Sequence, residues 1–168
     1  MPRIEPVPPN PIGNAVSNSV LARVLGRQPE ILRAYAALDS TVRFHGSLPL
    51  ELKEAVRRAT AGEIGCAYCQ SLGAPRTDLD AREALAVAFA QTVAQDPSAV
   101  SDAQFDVLRE EFSEPEIVEL VAFICLIAIS GQMFGAVMGL EATVPRKRWN
   151  IRTSSPDVPS PEGQNGSL

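Results

Sequence analysis

The sequence predicts an all-α domain, and three observations carry that prediction. Apolar residues recur at three- and four-residue spacing along most of the chain, with no strand-like alternation. Three segments have the form of a helix-opening capping box: Asp80 with Glu83, Ser101 with Gln104, and Ser113 with Glu116. Pro29 and Pro49 each precede an apolar periodic run, as a proline in a first helical turn does. Together these imply one bundle of about six or seven helices.

Taken in order, residues 1–16 are rich in Pro and Asn and are expected to form an extended N-terminal arm. The helical domain is expected over residues 17–148, starting with a short helix at 17–25. Pro29 opens the second helix, in which Ile31, Leu32, Tyr35, Ala36 and Leu38 give a 3–4 pattern. His45-Gly46-Ser47-Leu48-Pro49 reads as a turn, and a third helix then runs to about Ala61. Gly62 and Gly65 bracket a break, after which the cysteines open a short helix ending near Gly73-Ala74-Pro75. The capping boxes start the remaining helices, over 85–93, 105–108 and from Ile117 onward. From Trp149 the composition turns to Ser, Pro and Gly, which reads as a flexible tail over 149–168.

The chain has 168 residues and a formal net charge of −5, and Arg greatly outnumbers Lys. Its sharpest basic cluster, Arg146-Lys147-Arg148, adjoins a polar tail. Phosphate binding needs a sustained basic surface, so nucleic acid is not expected as a partner. Residues 117–140 are apolar and long enough to cross a bilayer, and basic residues follow them. Glu119, Ser130, Gly131 and Gln132 interrupt the run, and a helix apolar all round also serves as a bundle centre or a subunit interface. A soluble protein with no membrane partner is the expectation. The start is Pro-rich rather than basic and then apolar, so no signal peptide is expected, and the cytoplasm is the default compartment.

Three cysteines cannot build a disulfide framework. Cys125 lies in the apolar run and is expected to be a buried structural thiol. Cys66-Ala67-Tyr68-Cys69 is different, because a three-residue spacing puts both sulfurs on one helix face. A disulfide across so small a loop adds little stability, so reversible oxidation is the use expected of it. The thiolate is the reactive form, and a helix start favours negative charge. Glu54, twelve residues before Cys66, would take part in a proton relay if its helix packs on the cysteine helix. Alternatively, Glu54 only pairs with Arg57 or Arg58 on a solvated face. A zinc site would need two further ligands beyond the pair, and His45 is the only histidine, so no metal is expected. A thioredoxin-like site would want a preceding strand and a βαβ context.

The stretch 50–72 resembles the alkylhydroperoxidase D and carboxymuconolactone decarboxylase superfamily. The resemblance rests on Glu54, an amphipathic helix, a Gly just before the first thiol, and Cys66-Ala67-Tyr68-Cys69. The Gly46-Ser47-Leu48 lead-in, the 85–94 helix, the Phe112-Ser113 and Glu116-Ile117 junction and the long last helix extend it over most of residues 20–142. It implies a helical bundle and a thiol-dependent peroxidase in which Cys69 attacks the peroxide and Cys66 resolves the sulfenic acid. It also implies Glu54 as the relay carboxylate, no bound cofactor, an external dithiol reductant of lipoyl type on a partner protein, and a trimer or hexamer.

In one respect the sequence departs from the pattern. The superfamily motif has a histidine four residues after the second cysteine, and here that position is Gly73. His45, on the turn before the Glu54 helix, is one candidate to replace it, and Glu63, three residues before Cys66, is another. Loss of a general base costs a factor of about 10² to 10⁴ in rate, so weakened peroxidase activity is the expectation. The alternatives are a non-enzymatic redox-sensing or scaffold oligomer, and an acid–base enzyme acting on a lactone. Gly131, Gly135 and Gly139 recur every four residues and leave a groove for another helix, either of a second subunit or of the same chain.

Overall fold

The computed structural model describes residues 1–142 and contains helices but no strand among them. Helix α1 spans Val20–Leu25, and the Ser19 side chain accepts the Ala22 amide at its start. Helix α2 is Pro29–Phe44 with the proline in its first turn, and α3 is Leu50–Glu63 with Pro49 as its N-cap. The short α4, Ala67–Ser71, is followed by α5, Ala81–Gln95, and α6, Asp102–Glu111. Helix α7, Glu114–Ala122, continues through a π-helical stretch, Phe123–Ile129, into α8, Ser130–Val137. Counting that last continuous run as one, the described residues hold seven helices.

All three expected capping boxes form, each satisfying amides that a helix start leaves unpaired. Asp80, for example, accepts the Glu83 amide at 2.7 Å while Glu83 accepts the Asp80 amide at 3.2 Å. The third helix runs further than its sequence suggests. Gly62 sits inside it, and the chain turns only at Gly65, whose φ is +73°.

Helix α3 lies between α5 and the π turn of the last helix, and that interface is the main core. Leu52, Val56 and Ala59 of α3 meet Ala86, Phe89 and Ala90 of α5, with Leu120, Phe123, Ile124 and Ile127 closing the other side. The helix long enough to span a bilayer buries its inner face in the centre of the bundle. Its outer face stays apolar yet open, with Val118, Leu126, Met133 and Val137 exposed.

Cys125 lies on that outer face. It is exposed, not buried as its apolar run suggests. A run that is apolar all round does not mark which side will be covered, and Cys125 lies away from the sides that α2, α3, α4 and α5 cover. Neighbouring Val118, Val121 and Leu126 line a groove with it, and this partial desolvation raises its thiol pKa.

The glycine groove is filled from within the chain. Cβ atoms placed at Gly131, Gly135 and Gly139 would meet the Tyr35 hydroxyl, the Cys66 sulfur and the Arg3 guanidinium respectively. The arm over residues 1–16 has no helix and is tied down at two points, the end of the last helix and α1. The Arg3 amide donates to Met138 O at 2.9 Å, and the Val7 amide to Arg23 O at 3.1 Å, with Arg23 Nε returning a bond to Val7 O. The Arg146-Lys147-Arg148 cluster and the tail over 149–168 lie outside the described residues.

One buried ion pair fixes the corner between α2 and α3. Lys53, 1% exposed, donates to the carbonyls of Val42 and Arg43 and pairs with Glu119 Oε1 at 2.6 Å. Glu119 also accepts the amides of Ser47 and Leu48. Burial pushes its carboxyl up, but the Lys53 bond and those amides outweigh this and hold its pKa below the ordinary value. Removing one partner strands the other in a low-dielectric site, at a cost of about 3–5 kcal/mol. Lys53→Met is therefore expected to lower unfolding stability by about 3 kcal/mol in urea titration, with an unchanged denaturant slope. A midpoint equal to that of the parent would contradict the assignment.

Candidate active site

The turn at Gly65 brings the chain back so that Cys66 becomes the N-cap of α4 rather than a residue inside it. The Cys66 amide donates to Ala61 O, and the Cys66 sulfur accepts the Cys69 amide at 3.2 Å. The two sulfurs are bonded as a disulfide with a Cα–Cα distance of 5.2 Å. Neither is open to solvent, with Cys66 0% and Cys69 5% exposed. Val24 of α1, Ala61, Tyr68 and Leu140 surround them, backed by Leu21, Phe134 and Met138. Burial raises the Tyr68 phenol pKa, which a hydrogen bond with Ser19 and the charge of Arg57 only partly offset.

Helix α3 supplies the charged side of the site. Glu54 is gripped by two arginines: Arg57 Nε and Nη2 reach its two oxygens at 2.7 and 2.8 Å, and Arg58 Nε reaches Oε1 at 2.8 Å. Spacings of three and four residues place all three side chains on one helix face. Burial pushes the Glu54 carboxyl up, but the bonds and charges of Arg57 and then Arg58 overcome it and leave the pKa below the usual value. Glu54 is thus a fixed carboxylate and a weakened base. Glu54 pairs with the arginines, though not on a solvated face, since its side chain is 18% exposed, and its helix packs on the cysteine helix. The connection to α4 runs through Arg57, whose Nη1 donates to Cys69 O at 3.2 Å.

Gly73, where the motif would have histidine, has φ +152° and faces Arg58. A Cβ added there would stand 2.9 Å from Arg58 Nε and 3.0 Å from Cζ. The guanidinium fills the space a side chain at 73 would use. His45 is exposed at the C-cap of α2, its ring nitrogen 3.4 Å from Ser40 O, beside the start of α3. Cys69 meets α3 at Arg57 and Ala61, about two turns or more further along that helix. Glu63 is the exposed last residue of α3. Within this chain neither is brought to the thiol pair.

Two residues of the site carry no sequence signal as site residues. Gln132 of α8, 2% exposed, donates Nε2 to Arg57 O at 2.7 Å, and its Oε1 is buried without a partner among the described residues. Gly135, one turn on, lies against both sulfurs. Among the described residues no group of three or more His, Cys, Asp or Glu is placed to hold a metal ion.

No protein-family model matches the chain, and no curated protein matches it. Solved structures do. The debrominase Bmp8, in its apo form, aligns with a TM-score of 0.62 at 22% identity over 73% of this chain and 76% of its own. The alkylhydroperoxidase AhpD core of a peroxidase-related protein from Ralstonia eutropha JMP134 aligns with 0.62 at 21% identity, over 75% and 82%. A peroxidase-related protein from Silicibacter sp. TM1040 aligns with 0.60 at 19% identity, over 76% of each chain. The chain has the AhpD-like fold. Within that fold the disulfide occupies the seam between α3, α4 and α8, and the buried sulfurs leave no room at α8 for anything larger than glycine.

That fit yields a test. Alanine in place of a helical glycine normally gains about 1 kcal/mol. At Gly135 the new methyl would stand 2.7 Å from the Cys66 sulfur and 3.4 Å from the Cys69 sulfur. Overpacking of this kind costs about 1–3 kcal/mol. Gly135→Ala is expected to lose about 1 kcal/mol net in the oxidised protein, measured by urea unfolding. A stabilised variant would contradict the packing.

Proposed function

We propose that this chain is a dithiol–disulfide oxidoreductase that reduces an organic hydroperoxide, with Cys69 attacking and Cys66 resolving. The observation that carries the reading is the Cys66–Cys69 disulfide on an AhpD-like fold, beside a charged network and away from bulk solvent. The Cys69 thiolate attacks the terminal peroxide oxygen. The O–O bond breaks, the electron pair leaves with the alkoxide, and a proton completes the alcohol. Cys69 is then a sulfenic acid, and the Cys66 thiol condenses with it to form the disulfide and release water. An external dithiol, of lipoyl type by the family resemblance, returns both electrons by thiol–disulfide exchange.

The site offers no imidazole to Cys69, and Glu54 is a weakened base. Turnover is therefore slow, by a factor of about 10² to 10⁴ relative to a site with a general base. The chemistry suits a reducing compartment such as the cytoplasm. The open apolar side of the last helix, at Val118, Leu126, Met133 and Val137, supports a homo-oligomer, with a trimer or hexamer as the form. Equilibrium sedimentation is expected to give an oligomer, and a monomer would remove that part of the reading.

A second electrophile is favoured by the likeness to Bmp8, a debrominase that has been solved with 2,3,4-tribromopyrrole. The same two thiols would deliver two electrons to a carbon–bromine bond, giving the C–H compound, bromide and the disulfide.

With a dithiol reductant, wild type is expected to consume cumene hydroperoxide and Cys69→Ser to lose that activity. Equal consumption by the two would rule the peroxidase reading out. Bromide release from tribromopyrrole without hydroperoxide consumption would select the second electrophile.

A further inference from the structure

Resting on the dithiol reading, the structure points to one more functional residue. We infer that Arg58 is a positioning residue standing in for the absent motif side chain at Gly73, so that the Cys69 thiolate is held by a fixed charge instead of being formed by a titrating base.

The geometry has three parts. Arg58 occupies the space beside Gly73, where even a Cβ would meet its Nε at 2.9 Å. It shares Glu54 with Arg57, and Arg57 in turn holds the Cys69 carbonyl. Two guanidiniums against one carboxylate leave one positive charge uncompensated in this cluster.

The other groups around Cys69 do not cancel that charge. Helix α4 contributes Cys66 and Tyr68, the latter a neutral phenol whose pKa burial raises further. Helix α8 brings the neutral Gln132 and Gly135, and α1 brings Val24. The arm adds Arg3, a cation, at the end of α8. A net positive charge in the cluster that holds a thiol favours its ionised form, and here it acts against the burial of Cys69, which pushes a thiol pKa up. Arginine does so at every physiological pH because it does not deprotonate.

Glu54 acquires a different role in this arrangement. It orients the two arginines, and its own negative charge opposes the thiolate. A relay through Glu54 and a clamp on Glu54 therefore predict opposite signs for its removal.

The test titrates Cys69 by its ultraviolet thiolate absorbance, without substrate, in the reduced Cys66→Ser/Cys125→Ala protein. In this parent the thiolate is expected to appear in a single step below the ordinary thiol pKa of about 8.5. Arg58→Ala is expected to cut the thiolate fraction at pH 7 about tenfold, which is one pKa unit. Arg58→Lys keeps the charge and is expected to stay within about threefold of the parent. Glu54→Gln is expected to leave the fraction equal or higher.

An Arg58→Ala titration that overlays the parent would overturn the inference. So would an Arg58→Lys loss as large as that of alanine, or a drop in Glu54→Gln. Circular dichroism on each variant separates these results from unfolding. A protein that titrates as expected yet consumes no hydroperoxide keeps this inference and loses the functional reading.

Discussion

Arg57 joins three helices by separate bonds. Its Nε and Nη2 bind Glu54 on its own helix, Nη1 binds the Cys69 carbonyl on α4, and its backbone carbonyl accepts Gln132 from α8. Its side chain is 11% exposed, so these bonds form where water competes poorly and each is stronger than at the surface. A helix as short as the five-residue α4 has no stability of its own, so these bonds add to its apolar packing, the Cys66 amide bond to Ala61 O and the Tyr68 bond to Ser19 in holding it in place. The position of the disulfide therefore depends on a charged side chain of the preceding helix as much as on the residues around the sulfurs.

The second constraint is space. Helix α8 approaches the disulfide so closely that its nearest residue has to be glycine, and one turn earlier Gly131 makes room for the Tyr35 hydroxyl. Close-packed interiors transmit such constraints, since a sulfur has few ways to move aside. The spaced glycines of the last helix thus serve the interior of the chain, while the apolar side chains on the opposite face of the same helix stay open. One helix carries both the disulfide seam and an open apolar surface, on different sides of its axis.

The charges of the site make a coherent set. A carboxylate held by two guanidiniums is a poor proton acceptor, and position 73, a histidine in the motif the sequence resembles, is glycine. A redox cysteine has two routes to its thiolate: a base that takes the proton, or a charge that lowers the pKa. Loss of the first route is coupled here to a guanidinium in the same space.

Much of the fold was legible in the sequence because it rests on local rules. The capping pairs at Asp80, Ser101 and Ser113, the proline at 29 and the Cys66–Cys69 pairing act over a few residues and form as their chemistry dictates, while Pro49 and Cys66 each stand one position earlier, as N-caps of α3 and α4. The i+3 and i+4 offsets of Arg57 and Arg58 from Glu54 were equally visible, and so was the absence of a histidine at Gly73. What the sequence could not decide was which side of an all-apolar helix would be covered, which is why Cys125 faces outward. Nor could it place Arg58 against Gly73, Gln132 against Arg57, or Gly135 against the sulfurs. Those contacts join residues far apart in the chain, and they exist only because α3, α4 and α8 pack together at one seam.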